Sequence, residues 1–240
     1  MSGETKRRAR PQDEPPRPGR RRMPAKDRKR QIIDAAITLF AESGFESSTH
    51  RLAERLGITQ PLIYNHFPSK EILVKAVYER VYIRQWKESW DRLLLDRARA
   101  LEDRLVDFYG EYTETIFARE WIRIYLFAGL KRLDLNRWYI AFVEERILGR
   151  IGAELRHNFG MPSPDDVALT PEEIETLWIF HGGIFYYGVR DGVYDAPVAA
   201  DRDSMIRQSS IALVAGMGEV IRRLDLSGDS PGSNLSKGVG

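Results

Sequence analysis

The sequence predicts an all-α fold, divided into an amino-terminal three-helix helix-turn-helix unit and a larger carboxy-terminal helical body. Three observations lead there. Apolar residues from Lys26 onward recur at helical spacing. No alternating run of apolar and polar residues marks a strand, and few turn pairs of the hairpin kind occur. Finally, Gly, Pro, Ser and Thr fall at the ends of the periodic runs, where helix termini need them.

The first helix is read from Ile33, Ala36, Ile37 and Phe40, one apolar stripe, with Gly44 as a left-handed carboxy-terminal cap. Ser47, Ser48 and Thr49 offer side-chain oxygens to the free amides of a second helix, whose inward face is Leu52, Ala53 and Leu56. Gly57 ends it, Ile58 plugs the turn, and Thr59 caps a short third helix with Pro61 in its first turn. Pro68 stops that helix and Ser69 caps the next. Later helices are expected over 69–90, 99–118, 120–131, 135–159, 171–190 and 203–224. Thr170, Pro171 and Glu173 give the plainest start signal, a capping box with proline at the first helical position. Gly160, Pro162 and Pro164 make the break before it.

Residues 1–25 hold five of the twelve prolines among Arg, Asp and Glu, so a disordered basic arm is expected there. Residues 227–240, rich in Gly and Ser, read as a flexible tail. Charge is divided unevenly: 1–30 carries 12 Lys or Arg against 4 Asp or Glu, and the remainder 25 against 31. A positive end on an acidic body suits a polyanion partner; the arm either follows a minor groove and phosphates or only keeps the chain solvated. Absence of cysteine excludes disulfides, thiolate metal sites and a cysteine nucleophile, and a cytoplasmic location fits. The longest uncharged apolar stretch, Thr176 to Val189, is shorter than the ~20 residues of a bilayer crossing. The basic amino terminus lacks an apolar h-region, so neither a membrane span nor a secretory leader is expected.

A helix, a glycine turn and a short second helix make a unit in which the first helix braces and the second enters a DNA major groove. On the short helix Ile63 and Phe67 lie one turn apart and should face the core. Pro61, Leu62 and Asn65 then point outward, with Gln60 at the tip and Tyr64 and His66 on the flanks. An amide such as Gln60 donates and accepts at once, which matches the N6 and N7 edge of adenine, while Pro61 and Leu62 offer apolar surface to a thymine methyl. Tyr64, His66 and Lys70 carry donors suited to phosphate oxygens. So do Ser48, Thr49, His50 and Arg51 at the start of the second helix, where the helix dipole also favours an anion.

Several of these residues recur as a set: Ala35-Ala36 with Leu39-Phe40, Gly44 before Phe45, Leu52-Ala53, Gly57, and Tyr64-x-His66-Phe67-x-x-Lys70-Glu71. Through them the stretch from Arg30 to Leu73 resembles the DNA-binding domain of the TetR family of bacterial transcriptional regulators. The resemblance implies residues 26–70 as the DNA-binding domain and 71–226 as a helical ligand-binding and dimerisation domain. It also implies a homodimer that represses at a palindromic double-stranded operator, associated with the nucleoid when bound, and that a small hydrophobic or aromatic effector releases. By position, Gln60, Pro61 and Leu62 become base contacts, and Tyr64, His66 and Lys70 phosphate contacts. His50 stands where some members reach a base with a longer cation, and Leu62 where a smaller or polar residue is common, which suggests an operator of its own.

In the body, Gly182, Gly183 and Gly188 on one late helix and Ser209, Ala212 and Gly216 on the next allow close backbone approach and are the candidate dimer interface. Aromatic residues concentrate in the middle segments and supply the candidate ligand pocket. Phe108 and Tyr112 come from one segment, Trp121 and Tyr125 from a second, Trp138 and Phe142, with Tyr139 between them, from a third, and Trp178, His181 and Phe185, next to Tyr186, from a fourth.

An enzyme is not expected. Four histidines and one Glu-x-x-His, Glu154 to His157, fall short of a di-iron carboxylate bundle, and no P-loop, dinucleotide fingerprint or Gly-x-Ser-x-Gly elbow occurs. No catalytic residue, metal site or cofactor is therefore assigned. The main alternative keeps DNA binding but makes the body a solid dimerisation or protein-partner module; a helical-bundle enzyme is the remaining one.

Overall fold

The computed structural model describes residues 23–131 and 134–223, and every regular element among them is helical. The basic arm expected over 1–25 lies outside the described residues except for its last three, and the expected tail over 227–240 lies wholly outside them.

Helix α1 (Ala25–Ser43) packs on α2 (Thr49–Leu56) and α4 (Lys70–Val81), with the short α3 (Gln60–His66) set against α2. Its buried side chains are Ile32, Ala36, Leu39, Phe40 and Ala41, whereas Ile33 and Ile37 of the expected stripe are only half-buried. The reason is that α1 has neighbours on two sides: besides α2 and α4, helix α7 (Arg119–Leu130) lies along it, so the most buried line falls between them. Ile63 and Phe67 close the core of this amino-terminal unit, as the sequence pattern requires.

The caps follow the sequence with two exceptions. Ser48 accepts from the Arg51 amide at 3.2 Å, and Ser69 from the Ile72 amide at 3.3 Å. Thr59 occupies the N-cap of α3 but makes no side-chain cap bond; its neighbour Thr49 takes up the polar contacts at that end. Gly44 has φ +70° yet ψ −177°, so it is a sharp exit rather than a left-handed helical cap, and the ring of Phe127 lies 3.2 Å from where a Cβ would stand. Gly57 is the left-handed cap, at φ 61°, ψ 35°, with nothing within 4 Å of a Cβ position. Substitution there meets only backbone strain, so Gly57→Ala is expected to cost about 1–2 kcal/mol. Thermal unfolding checks this, and an unchanged melting temperature would contradict it.

The single helix expected over 69–90 is broken. α4 ends at Val81, a 3-10 turn covers Ile83–Gln85, and a separate α5 runs over Glu88–Leu95. Aromatic docking overrides helical continuity here. The Tyr82 hydroxyl donates to the Trp121 carbonyl at 3.1 Å, and Trp86 leaves the helix to meet Trp90 and Phe142 edge-on, each at 5.2 Å. The other expected helices hold within a few residues: α6 is Leu101–Ile116, α10 is Pro171–Gly192 and α11 is Arg202–Arg223. The run expected over 135–159 comprises α8 (Asp134–Val143), a π-helical turn (Glu144–Leu148) and α9 (Gly149–Asn158).

Helix α6 forms the axis of the body, between α5 and α11, and its Leu105, Phe108 and Tyr109 are fully buried. Two buried arginines tie the surrounding segments. Arg104, 3% exposed, and the more exposed Arg97 both bond Glu154, which is 2% exposed, each at 2.8 Å. Arg156 is wholly buried and grips Glu173 at 2.6 Å. Burial alone would push both carboxyls up, but the arginine hydrogen bonds and charges prevail and hold both below the ordinary range. The Glu154 of the Glu-x-x-His pair is thus an ion-pair partner, and among the described residues no group of three or more His, Cys, Asp or Glu is placed to hold a metal. None of the described helices is long and apolar enough to cross a membrane.

Candidate nucleic-acid interface and ligand cavity

Because Ile63 and Phe67 anchor one side of α3 in the core, its other side is committed to solvent. Pro61 and Asn65 are exposed, Tyr64 is 40% exposed, and Leu62, His66 and Lys70 are half-buried. Leu62 shares a surface cleft with Leu56 and Ile58. At the tip of the helix Gln60 is held rather than free. Its Nε2 donates to Thr49 Oγ1 at 2.7 Å, and the Tyr64 hydroxyl sits 3.1 Å from the same oxygen. Thr49 is buried, so it is the centre of this clasp and not itself a surface donor. The clasp uses one of the two Gln60 N–H groups and leaves the other, with Oε1, without a hydrogen bond among the described residues.

On α2, Ser48 spends its oxygen on the cap, His50 stands 3.5 Å from Glu54, and Arg51 is exposed. Arg55 makes a two-pronged bond to Glu42, at 2.7 and 3.0 Å, which links α2 to α1 at the surface. Lys29 lies over the Phe67 ring at 5.4 Å.

A cavity of about 160 Å³ opens in the body between α6, α7, α8 and α10. Six of the nine aromatic and histidine candidates line it: Tyr112, Trp121, Tyr125, Trp178, His181 and Phe185. The other three do not. Phe108 is buried in a ring stack on Tyr112 at 5.4 Å, Trp138 is 53% exposed with its edge toward Tyr78, and Phe142 packs on Trp86. The wall also contains Tyr139, from the same aromatic cluster, and Ile116, Ile140 and Val143, which were not among the candidates. Their signal was available in the spacing of Tyr139 and Val143, one turn apart on a helix that already carried aromatic residues.

The polar groups of the wall are hydroxyls, the indole N–H groups of Trp121 and Trp178, and one imidazole. The Tyr112 and Tyr139 hydroxyls meet at 2.6 Å, and His181 Nδ1 stands 3.1 Å from the Tyr109 hydroxyl. Burial pushes the His181 imidazole down to about 4 and the hydroxyls of Tyr109, Tyr112 and Tyr139 up, so all four are neutral near pH 7.

Helix α7 joins this cavity to the helix-turn-helix. Trp121 and Tyr125 face the cavity, while Arg123 Nε donates to the Ala41 carbonyl at 2.6 Å and Phe127 rests on Gly44.

The candidate dimer residues separate into three groups. Gly183, Ala212 and Gly216 are exposed, and Ser209 is half-buried. Beside them stand Ile179, Tyr186 and Ile211, which are 75%, 54% and 46% exposed and continue an apolar stripe over α10 and α11. Gly182 lines the cavity instead. Gly188 is buried, and a Cβ there would collide with the Phe117 ring, so its small size serves packing within its own subunit.

Residues 32–77 match the family model described as bacterial regulatory proteins, tetR family. The chain is 23% identical over 176 residues to the HTH-type transcriptional repressor KstR2 of Rhodococcus jostii, a match covering 71% of this chain and 70% of that protein. Against the class A tetracycline repressor of transposon 1721 from Escherichia coli it is 33% identical over 85 residues, 32% of this chain and 39% of the repressor. The chain thus spans about two fifths of that repressor and most of KstR2. Among solved structures, a TetR-like transcriptional regulator from Rhodococcus sp. RHA1 has the same fold, with TM-score 0.58 and 18% identity over 81% of this chain and all of that one.

Proposed function

This chain is a transcriptional regulator of the TetR family, and from that premise we propose that two copies hold a palindromic operator and release it when a small apolar or aromatic effector fills the cavity. The observation that carries the reading is the clasp at the start of α3, which holds Gln60 in one conformation on an otherwise exposed helix face. A reader fixed before binding loses less side-chain freedom on contact with a base edge. Gln60, Pro61 and Leu62 are the base readers; Tyr64, His66 and Lys70, with Ser48, His50 and Arg51, hold phosphates. Thr49 acts through Gln60.

Dimerisation covers the stripe of Ile179, Gly183 and Tyr186 on α10 with Ile211, Ala212 and Gly216 on α11, apolar surface that one subunit leaves in water. The two α3 helices then stand about one DNA turn, ~34–36 Å, apart. Release follows if the effector prefers a dimer with a different spacing, and α7 is the connecting element, since it walls the cavity on one side and carries α1 on the other. The setting is cytoplasmic, with the dimer on the nucleoid when it holds DNA.

Two measurements test this. Operator fragments with both half-sites should bind at least ~100-fold more tightly than fragments with one, because the second contact is intramolecular; equal affinities would reject the dimeric reading. Thr49→Val, which keeps the shape but frees Gln60, should weaken operator binding by about 2- to 10-fold through the cost of ordering one side chain. Fluorescence anisotropy checks this, and unchanged affinity in the folded variant would remove Thr49 from the account.

A further inference from the structure

The cavity wall carries a statement about its ligand. Among its lining residues there is no Lys, Arg, Asp or Glu. The Glu144 carboxylate, bonded to Trp178 Nε1 at 3.3 Å, is solvent-exposed and lies outside the wall. An ionic ligand would therefore enter a largely apolar place whose wall offers it no counter-charge, which costs several kcal/mol or more for a buried ion. Nor can the wall generate that charge near neutral pH, since its imidazole and phenols are buried in their neutral forms.

Size narrows the class further. The volume of about 160 Å³ is close to the ~150 Å³ of an engineered apolar cavity that admits one benzene ring. Ring neighbours are provided by Trp121, Tyr125 and Phe185, mutually 5.3 to 6.1 Å apart. Polar recognition is provided by His181. It is 7% exposed and lines the cavity, its Nδ1 is engaged by Tyr109, and no hydrogen bond of the described residues uses its Nε2. Directly after the wall residue Val143 the helix widens into the π-turn Glu144–Leu148, a departure from α geometry of the kind that often accompanies binding sites.

We propose that this cavity takes an uncharged molecule built on a single aromatic ring with one hydroxyl or similar group, which hydrogen-bonds to His181. The proposal rests on the effector reading above and names the chemical class that the effector must have. Simple phenols fit it; aromatic carboxylates, organic cations and fused rings do not.

The test uses the full-length protein without DNA, by titration calorimetry and by the fluorescence of the wall residues Trp121 and Trp178. The probes are phenol, benzoate, benzyltrimethylammonium, 2-naphthol and toluene. Phenol should bind saturably and at least ~10-fold more tightly than the two ions and 2-naphthol, a difference of about 1.4 kcal/mol. Gly182→Leu should remove phenol binding while the thermal transition is retained, because no atom lies within 4 Å of a Cβ at that position. His181→Phe should weaken phenol at least ~10-fold relative to toluene. Tighter binding of either ion or of 2-naphthol, unchanged phenol binding in folded Gly182→Leu, or no binding of phenol would each overturn the proposal. Operator recognition is measured separately, so a protein that reads DNA but ignores phenol refutes only the ligand class. One that binds phenol but no DNA refutes only the regulator reading.

Discussion

Arg156→Met is expected to lower stability by about 3–5 kcal/mol, because it leaves a buried carboxylate without its cation. For a chain of this length that corresponds to roughly 6–20 °C in melting temperature. Arg156 is entirely buried; it bonds Glu173 through Nε at 2.8 Å and through a terminal nitrogen at 2.6 Å. It also donates to the carbonyls of Val167 and Ala168, so one guanidinium fixes the loop between α9 and α10. Glu173 in turn accepts the Thr170 amide at 2.8 Å and completes the capping box. Removing both charges, in Arg156→Met with Glu173→Leu, should recover most of the loss, which separates an unpaired charge from lost packing.

The pH dependence has a definite sign. The Glu173 carboxyl is held below its ordinary value in the fold, so its contribution is present above the unfolded pKa and is lost as pH falls through the folded one. Without Arg156 its hydrogen bond and charge are gone, and only the Thr170 hydrogen bonds still oppose the rise that burial causes, so the carboxyl moves upward. Variant and wild type should therefore converge in stability on acidification into and below the ordinary carboxylate range, where the lone carboxyl becomes neutral. A difference that stays constant from pH 7 to pH 4 would contradict the ion-pair account.

Gln60→Ala is expected to cost about 1–3 kcal/mol of operator binding, roughly 5- to 150-fold, and to relax preference at one base pair in each half-site. Lys70→Ala should instead weaken all sequences alike and reduce the salt slope by about 1. Binding isotherms on the operator and on single-base variants at several salt concentrations distinguish the two. If Gln60→Ala lowered affinity uniformly, Gln60 would be a positioning residue and the clasp with Thr49 would have another purpose.

Local chemistry made the amino-terminal domain legible. Ser48, Ser69 and Thr170 cap because a hydroxyl before a helical run has few other uses, and Gly57 turns because other residues resist that backbone. Ile63 and Phe67 were assignable because α3 is short and has one core face. Helix α1 was harder: Ile32, Ile33, Ala35, Ala36, Ile37, Leu39 and Phe40 are apolar around two adjoining faces, and only the docking of α7 decides which line is most buried.

Farther from the local chain, the sequence carries less. The end of α4 at Val81 depends on Tyr82 reaching Trp121, a contact over 39 positions that periodicity cannot register. Arg104, Arg156, Glu154 and Glu173 look like a solvated face when read singly; they are buried because each finds an opposite charge on another segment. Aromatic enrichment located the cavity region but could not divide Tyr112, which faces it, from Phe108, one turn away and sealed in the ring stack. Small residues were ambiguous in the same manner: Gly183 is exposed on α10 while Gly188, on the same helix, is filled by Phe117 of its own subunit.

The most direct test is selection of bound fragments from a random duplex pool by the purified full-length protein at moderate salt. Enrichment of a two-fold-related sequence, with half-sites centred about one helical turn apart and altered at one base pair per half by Gln60→Ala, is the predicted outcome. Recovery of fragments with no common sequence, or of an asymmetric site indifferent to Gln60, would contradict the account.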